Sequence, residues 1–448
     1  MNIEKNRTQY LQFSSTIEVE PIFIEGNSGW DYVNSNYEWC SGSGTWSDPY
    51  IIENIKIDRN GNTSIPSFDI RNTNVHFIIR NSIFLNGGTG INLEYVNNSI
   101  ITENSYVNNM RGIYLFYSFN NTISENDLND NKYDGISMAF SNNNTILNNV
   151  FSYNKYYESK IYIGSFHISC LKFVACFYNI IEENVIRNHE YGMEIYESNR
   201  NRIIINDFFN CSEGIHLYKC NNNSLLENVF ANNSFGIYAE NSSFNTIKEN
   251  MLKFNDIGMD FGEECNENLI TCNNFLENGL GLFWCKQNKI VNNYFEKSGL
   301  GISGASQYNI VKNNYINGSF NGIMLRYAEH TNITNNVLTY CTIGIGLTSG
   351  TYNNIISNNI SFSKRGIELS IISFGNTIAN NSISYYTFCI REDESSENNI
   401  IENNICIKIK EKDDTISGYY YIPFIILLCC FSIILVSRKR CKSPSLTS

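Results

Sequence analysis

One phrase recurs along most of the chain at a spacing of about 22 residues. From residue 81 to residue 404 it reads asparagine, two apolar residues, a few polar residues, and then glycine, isoleucine, any residue and leucine. A fixed period of this length is typical of a solenoid, in which each repeat forms one coil and packs only against its neighbours. Successive glycine anchors are 20 to 23 residues apart, with a single gap of 57. The anchors are Gly90, Gly112, Gly135, Gly192, Gly214, Gly236, Gly258, Gly281, Gly301, Gly322, Gly344 and Gly366.

The apolar residues of the Gly-Ile-x-Leu segment alternate with a period of two. That alternation predicts short β-strands, and the region contains no sustained 3.6-residue stripe that would indicate helices. The leucine framework of leucine-rich repeats is also missing. The sequence therefore predicts an all-β single-stranded parallel β-helix of about 15 coils, each of which adds one strand to each of about three parallel sheets. The isoleucine and leucine side chains are expected to point inward. The 57-residue gap corresponds to two coils plus a loop, with the missing rung expected around residues 160–163.

Asparagine is the most unusual component of the composition, with 73 of 448 residues. A series of asparagines precedes the glycine anchors by about eight residues, at Asn104, Asn184, Asn206, Asn228, Asn250, Asn293, Asn314 and Asn336. Asparagine tolerates left-handed backbone, and equivalent asparagines of stacked coils can form a hydrogen-bonded amide ladder. We therefore expect asparagine at the corners of the coils, where its abundance needs no catalytic explanation.

Charge and cysteine spacing exclude several classes of function. The net charge of −12 argues against nucleic-acid binding, which requires a basic face. The 14 cysteines form no CxxC pairs and show no regular ligand spacing. The sequence accordingly predicts no nucleic-acid partner, no metal site and no cofactor.

The segment GSGTWSDPYIIEN, from Gly42 to Asn54, precedes the repeats. Together with the repeats themselves it resembles the NosD-like family of β-helix proteins, over about residues 40 to 406. That resemblance implies a right-handed β-helix located outside the cytoplasm and grouped with carbohydrate-binding and sugar-hydrolase β-helices. The family name is also linked to copper supply, although the chain shows no Met- or His-rich cluster of soft ligands.

The two ends of the chain differ in composition from the repeats. We expect residues 1–60 to form an N-terminal cap and first rung, and residues 61–410 to form the β-helix, with an insertion near 156–179. After a short linker at 411–418, the uncharged run Tyr419–Val436 is long enough as a helix to cross a bilayer, which predicts a transmembrane helix over 419–437. The basic residues that follow predict a cytoplasmic tail over 438–448 and a β-helix outside, as a single-pass membrane protein of the cell surface.

Residues 1–24 contain no apolar run of the length that a secretory signal peptide needs. Three explanations are compatible with this observation. The true start codon lies upstream of Met1, which we favour, or export uses another route, or the β-helix is tail-anchored in the cytoplasm.

The variable residue of Gly-Ile-x-Leu and the residue two positions later are expected to face outward. In four regular coils after the gap these positions hold Glu194, Tyr196, His216, Tyr218, Tyr238, Glu240 and Asp260. Tyrosine rings beside carboxylates suit sugars, which present apolar faces and hydroxyl groups. Glu240 and Asp260 are expected roughly 8 Å apart from strand spacing and rise, a separation that suits an inverting glycosidase. The alternative is a simple solvated face, because outward positions of a sheet are normally polar.

The sequence leaves three functions open. The first is a noncatalytic surface protein that binds glycans or cell-surface partners. The second is a surface polysaccharide hydrolase or lyase that uses Glu240 and Asp260. The third, implied by the family name, is an accessory factor in copper-site maturation.

Overall fold

The computed structural model describes residues 16–152 and 169–410. Within these residues the chain forms a parallel β-helix of about 15 turns, in which each turn contributes three short strands. The predicted fold class is therefore confirmed for the β-helix. Each strand pairs in parallel with the equivalent strand of the next turn, so that residues about 22 positions apart become neighbours.

The first sheet follows the asparagine-rich corner and begins with a short antiparallel pair. Its strands are Cys40–Ser41, Tyr50–Glu53, Phe77–Arg80, Ser99–Thr102, Thr122–Ser124, Thr145–Leu147, Ile180–Glu182, Arg202–Ile204, Ser224–Leu226, Thr246–Lys248, Leu269–Thr271, Lys289–Val291, Ile310–Lys312, Asn332–Thr334, Asn354–Ile356, Thr377–Ala379 and Ile400–Glu402.

The second sheet is built from equally short strands. They are Ile17–Glu18, Ile55–Asp58, Ile83–Leu85, Ser105–Val107, Asp127–Asn129, Val150–Ser152, Val185–Arg187, Asp207–Phe209, Val229–Ala231, Met251–Lys253, Asn274–Leu276, Tyr294–Glu296, Tyr315–Asn317, Val337–Thr339 and Ile405–Lys408.

The third sheet contains the Gly-Ile-x-Leu segments. Its strands are Ile22–Glu25, Phe68–Thr73, Thr89–Val96, Arg111–Phe116, Asp134–Ala139, Ser169–Val174, Tyr191–Tyr196, Glu213–Tyr218, Phe235–Glu240, Ile257–Phe261, Leu280–Phe283, Leu300–Ser303, Asn321–Arg326 and Ile343–Thr348. Two longer strands, Asn359–Ser370 and Ser382–Glu392, run through the second and third sheets without a break.

The core consists of one inward side chain from each short strand, stacked on its equivalents in the neighbouring turns. Phe208 and Phe230 stack with ring centroids 5.0 Å apart, and Phe275 and Phe295 at 4.4 Å. Each fully buried side chain of this size contributes roughly 2–3 kcal/mol by removal from water. The inward isoleucines and leucines predicted from the repeat are likewise fully buried.

A single α-helix within the described residues, Gly26–Asn36, covers the N-terminal end of the coil. Its Trp30 is fully buried, stacks on Tyr50 at 5.2 Å and contacts Phe77 with tilted rings at 4.5 Å. Gly42 turns the following segment with a φ of +101°, and a Cβ there would lie 1.9 Å from the Pro49 carbonyl oxygen. The GSGTWSDPY segment therefore shapes the start of the solenoid.

The asparagine ladder is confirmed, and it is separate from the left-handed corners. Asn336 is buried, and its Nδ2 donates to Asn358 Oδ1 of the next turn at 3.0 Å. The residue before it, Asn335, has a φ of +55°. The two uses of asparagine that we predicted for one corner therefore fall on adjacent residues.

The 57-residue gap between Gly135 and Gly192 does not have its rung where we predicted it. Ile136 pairs with Leu171, and Leu171 pairs with Met193, so Cys170 takes the place of the missing glycine. The rung is Ser169–Val174 rather than residues 160–163. The 13 extra residues therefore precede it, in a region that includes 153–168, outside the described residues.

No helix within the described residues is long and apolar enough to cross a membrane. The predicted span Tyr419–Val436, with the linker and the basic tail, lies outside the described residues.

A disulfide between Cys389 and Cys406 joins the last two turns. We expect the Cys406→Ser variant to lose about 3 kcal/mol of unfolding free energy for the last turn, because a loop of 17 residues is no longer closed in the unfolded chain. Urea denaturation with and without dithiothreitol measures this loss. Cys272→Ser, at an exposed free cysteine, is the matched control. Equal midpoints for the Cys406 variant and the parent protein would contradict the expectation.

Asp127 on the second sheet makes stability depend on pH. Burial, helped by the charge of Asp130, raises the pKa of Asp127 to about 6. The folded state therefore holds this proton more tightly than the unfolded state, and stability is lost as pH rises from about 4 through 6. We expect Asp127→Asn to stabilise the protein at pH 8 by on the order of 1 kcal/mol, after allowance for solvent screening, and to change little at pH 4.

The control for this prediction is Asp58 on the same sheet. Hydrogen bonds from the Asn86 side chain and the Asn60 amide lower the pKa of Asp58. Asp58→Asn should therefore give no stabilisation at pH 8 in chemical denaturation. A similar gain from both variants would mean that general charge reduction, rather than the burial of Asp127, is responsible.

Candidate functional site

The third sheet places the predicted site residues on one outward face. In the order of the stacked turns, Lys172, Glu194, His216, Tyr238 and Asp260 lie directly opposite one another. Two residues further along each strand, a second column holds Tyr196, Tyr218 and Glu240. We call these two columns together the acidic strip. All seven residues predicted from the sequence lie on it, and all are partly buried.

At one end of the acidic strip the charges are paired. Lys172 Nζ lies 3.0 Å from Glu194 Oε2, and Ser169 Oγ donates to the same oxygen at 2.9 Å. In the two turns before Lys172, Arg111 Nε lies 3.2 Å from Asp134 Oδ2 as an ion pair. Lys172 and Arg111 are therefore both held by carboxylates.

His216 occupies the middle of the acidic strip. Its Nδ1 lies 3.0 Å from Glu213 Oε2, and its ring contacts the Tyr238 ring edge-on at a centroid distance of 5.1 Å. Sequence reasoning missed Glu213 because only residues after the glycine were considered. Strict alternation would place Glu213 with the inward Ile215 and Leu217, but the regular pairing is interrupted at Gly214, and Glu213 is only partly buried.

Glu240 and Asp260 form a pair of carboxyl groups in different environments. The Tyr238 hydroxyl donates a hydrogen bond to Glu240 Oε1, which fixes the position of that carboxylate. Burial raises the pKa of Asp260, and the negative charge of Glu240 raises it further. Burial also raises the pKa of Tyr238, together with its hydrogen bond to Glu240, so that this hydroxyl stays a donor. Two carboxyls whose environments differ in this way suit separate acid and base roles.

The strand register gives the separation of this pair. Tyr238 lies opposite Asp260, and Glu240 follows Tyr238 by two residues. One strand spacing and two residues of rise put the Cα atoms of Glu240 and Asp260 about 8 Å apart.

Gly281 and Gly301, which we predicted as corner glycines of the repeat, lie instead in the column of outward residues that contains Asp260. Met259 pairs with Leu280, so Gly279 occupies the corner position that Gly258 holds in the preceding turn. Gly281 lies opposite Asp260. A Cβ at Gly281 would lie 2.8 Å from Asp260 Oδ1, whereas a Cβ at Gly301 would meet nothing within 4 Å. In the column of outward residues that contains Asp260, the next two turns therefore hold only glycine, at Gly281 and Gly301. The Asp260 carboxyl is open on that side.

Gly301 borders a shallow depression of about 410 Å³. We call it the Gly301 depression; its lining includes Gly299, Gly301, Ser303, Ser319, Asn321 and Arg326. Phe283 follows Gly281 by two residues and lies opposite Ser303; it exposes 43% of its surface and stacks on Trp284 at 5.4 Å. Phe283 and the depression were not predicted from the sequence.

Tyr196 and Tyr218 are less open than the sequence suggested. Their rings stack on each other at 5.1 Å, and Lys219 Nζ lies 5.3 Å from the centroid of the Tyr218 ring. Phe283 also stacks on Trp284 but is exposed, whereas Tyr196 and Tyr218 are only partly exposed, so Phe283 offers the more accessible ring to a sugar.

Two family models match the sequence. The model "Periplasmic copper-binding protein (NosD)" matches residues 163–282 and 279–420, and the model "Right handed beta helix region" matches residues 20–171. No curated protein matches the sequence significantly.

Several solved structures are similar to this chain at low sequence identity. The periplasmic alginate epimerase AlgG has 12% identity and a TM-score of 0.37, over 88% of this chain and 84% of that one. A mannuronic acid specific polysaccharide family 6 lyase from human gut microbiota has 10% identity and a TM-score of 0.38, over 88% and 92%. The A-module of mannuronan C-5 epimerase AlgE6 from Azotobacter vinelandii has 13% identity and a TM-score of 0.32, over 88% and 91%.

The described residues do not fit the copper that the family description names. No group of three or more His, Cys, Asp or Glu side chains able to hold a metal occurs among them. Two buried thiols, Cys265 and Cys285, are neighbours, but their hydrogen bond and their burial raise the pKa of Cys265 well above its usual value. Copper binds thiolates, so a thiol that holds its proton this tightly is a poor ligand.

Proposed function

The chain belongs to the NosD family of periplasmic β-helix proteins, and from this premise we propose that its third sheet carries a glycoside hydrolase site. Asp260 is the general acid and Glu240 the general base. The observation that supports the proposal most strongly is the environment of this pair: Asp260 has a raised pKa and an open side, and Glu240 is fixed by Tyr238.

The proposed reaction is a single displacement. Asp260 gives its proton to the glycosidic oxygen as the bond from that oxygen to the anomeric carbon breaks. Glu240 takes a proton from the water that attacks the anomeric carbon from the opposite face. The products are two sugars, and the new reducing end has inverted configuration because water attacks from the face opposite the leaving oxygen.

The charges near the pair favour hydrolysis over elimination. A lyase removes a proton beside a sugar carboxylate, and it needs a cation to neutralise that carboxylate. The cations that contact residues of the acidic strip are both paired with carboxylates, since Lys172 Nζ lies 3.0 Å from Glu194 and Lys219 Nζ lies 3.3 Å from Glu197. Glu213, Glu240 and Asp260 add further negative charge to the acidic strip, which suits a neutral sugar at the scissile bond.

The proposal extends to location. We propose that the β-helix lies outside the cytoplasm and that residues 419–437 anchor it in the membrane. The family description as periplasmic supports the first part, and so does the Cys389–Cys406 disulfide, because disulfides persist in oxidising compartments.

Incubation of the full chain with a panel of neutral and acidic polysaccharides tests the function. We expect new reducing ends from at least one polymer. Binding in affinity electrophoresis without any release of sugar would instead support the noncatalytic glycan-binding alternative and overturn the hydrolase.

A further inference from the structure

The Gly301 depression carries a single charged side chain. Of its lining residues only Arg326 is ionised, and the others are glycine, small polar or apolar residues. Arg326 is exposed, and no acidic side chain among the described residues forms an ion pair with it. Most other cations of this sheet differ, since Arg71, Arg111, Lys172 and Arg365 each contact a carboxylate.

The same depression contains further hydrogen-bonding groups. Ser303 lies directly opposite Arg326 in the neighbouring turn. Asn321 Oδ1 has no hydrogen-bond partner among the described residues. An unpaired guanidinium presents up to five donors in a planar fork that matches carboxylate and sulfate groups.

The depression is aligned with the proposed catalytic pair. The outward column runs from Asp260 to Gly281, Gly301 and Met324, one turn at each step. Arg326 is therefore three turns from Asp260, on the order of 14 Å along the axis. Phe283 lies between them and offers a flat apolar surface at the first step. A polysaccharide that lies along the axis would contact all three features.

We propose that the Gly301 depression is a subsite for a sugar unit that carries an anionic group, a carboxylate or a sulfate, and that Arg326 binds this group. The inference deepens the proposed function and rests on it for the direction of the chain. The substrate class is then a polysaccharide with a neutral unit at the scissile bond and an anionic unit a few residues away. Arg326 is too far from Asp260 to neutralise a carboxylate at the reacting sugar.

Binding to two matched pairs of polymers tests the subsite. The probes are polygalacturonate with its methyl ester, and dextran sulfate with dextran, measured by affinity electrophoresis of the full chain at low salt. We expect one anionic polymer to bind at least 10-fold more tightly than its neutral partner. Arg326→Gln should remove most of that preference, because a charge-assisted hydrogen bond is lost. Arg202→Gln, which removes an exposed arginine from the first sheet, is the matched control and should keep it.

A second pair of variants tests the space itself. Gly301→Trp fills the depression and should abolish binding of the anionic polymer, whereas Gly301→Ala adds a methyl group with no contact and should not. A preference that survives Arg326→Gln, or no anionic preference at all, overturns the subsite. If wild-type protein releases sugar but the Arg326→Gln variant still prefers the anionic polymer, the subsite is contradicted and the hydrolase is not. If Arg326 controls binding but no polymer is cleaved, only the hydrolase fails.

Discussion

Replacement of Asp260 by asparagine is expected to lower kcat for sugar release by about three orders of magnitude, because the leaving oxygen then receives no proton from a positioned acid. Glu240→Gln should cause a loss of similar size, since the attacking water loses its base. Both measurements use the polymer that wild-type protein cleaves best. Asp256→Asn, at an exposed carboxylate of the same turn, is the matched control and should keep activity.

An aryl glycoside with a nitrophenol leaving group separates the two roles. Such a leaving group needs no proton, so Asp260→Asn should recover most of the wild-type rate on this substrate, and Glu240→Gln should not. Equal recovery by both variants would contradict the assignment of acid and base. Retention of anomeric configuration in the first product, measured by NMR, would contradict the single displacement.

The pH profile offers a further check on Asp260. The acid must hold its proton, so the rate should fall as pH rises through the pKa of Asp260. Because burial and Glu240 raise that pKa, the fall should come at a higher pH than the ordinary aspartate value of about 4. If Asp260→Glu does not shift the pH at which the rate falls on the alkaline side of the profile, the general acid is another group.

Asn206→Ala is expected to destabilise the β-helix by about 3 kcal/mol or more. Asn206 Nδ2 donates to Ile181 O at 2.9 Å and to Asn228 Oδ1 at 3.0 Å, and its Oδ1 accepts from the Asn184 amide at 3.0 Å. Alanine leaves these buried groups without partners, and each such group costs about 1–3 kcal/mol. Urea denaturation followed by circular dichroism measures the change.

Asn210→Gly is the control for the ladder. Asn210 has a φ of +55° at an exposed corner, so glycine keeps the left-handed backbone and removes only an exposed side chain. We expect a change within about 0.5 kcal/mol. Similar losses at Asn206 and Asn210 would mean that the ladder contributes no more than a surface hydrogen bond.

The fold and the ladder were predictable because they repeat. Every coil contains the same Asn and Gly-Ile-x-Leu pattern and packs against equivalent residues of its neighbours. The strands, the inward side chains and the asparagine corners can therefore be predicted from one amphipathic pattern that recurs about a dozen times. The rung after Gly135 was misplaced for the same reason. Cys170 fills the corner position without the glycine on which the pattern depends.

The site was predictable only in part. The outward positions of regular coils gave Glu194, His216, Tyr238, Glu240 and Asp260, because alternation alone fixes which residues face outward. The hydrogen bond of Tyr238 to Glu240 and the burial of Asp260 depend on side-chain geometry and on neighbouring turns. No spacing in the sequence reports them.

The sequence by itself determined a parallel solenoid with an outward strip of acids and aromatic residues. The tertiary structure decided where that strip ends and where the depression begins. Residues 279–282 read Gly-Leu-Gly-Leu, and from the sequence either Gly279 or Gly281 could occupy the corner position that Gly258 holds in the preceding turn. Both choices give a repeat length within the observed range, and by alternation both direct the leucines inward. A shift of two residues preserves the in-and-out alternation, so hydrophobic pattern cannot choose between the two registers. Packing against the preceding turn selects Gly279, and it thereby puts Gly281 beside Asp260 and opens the face next to the proposed catalytic pair.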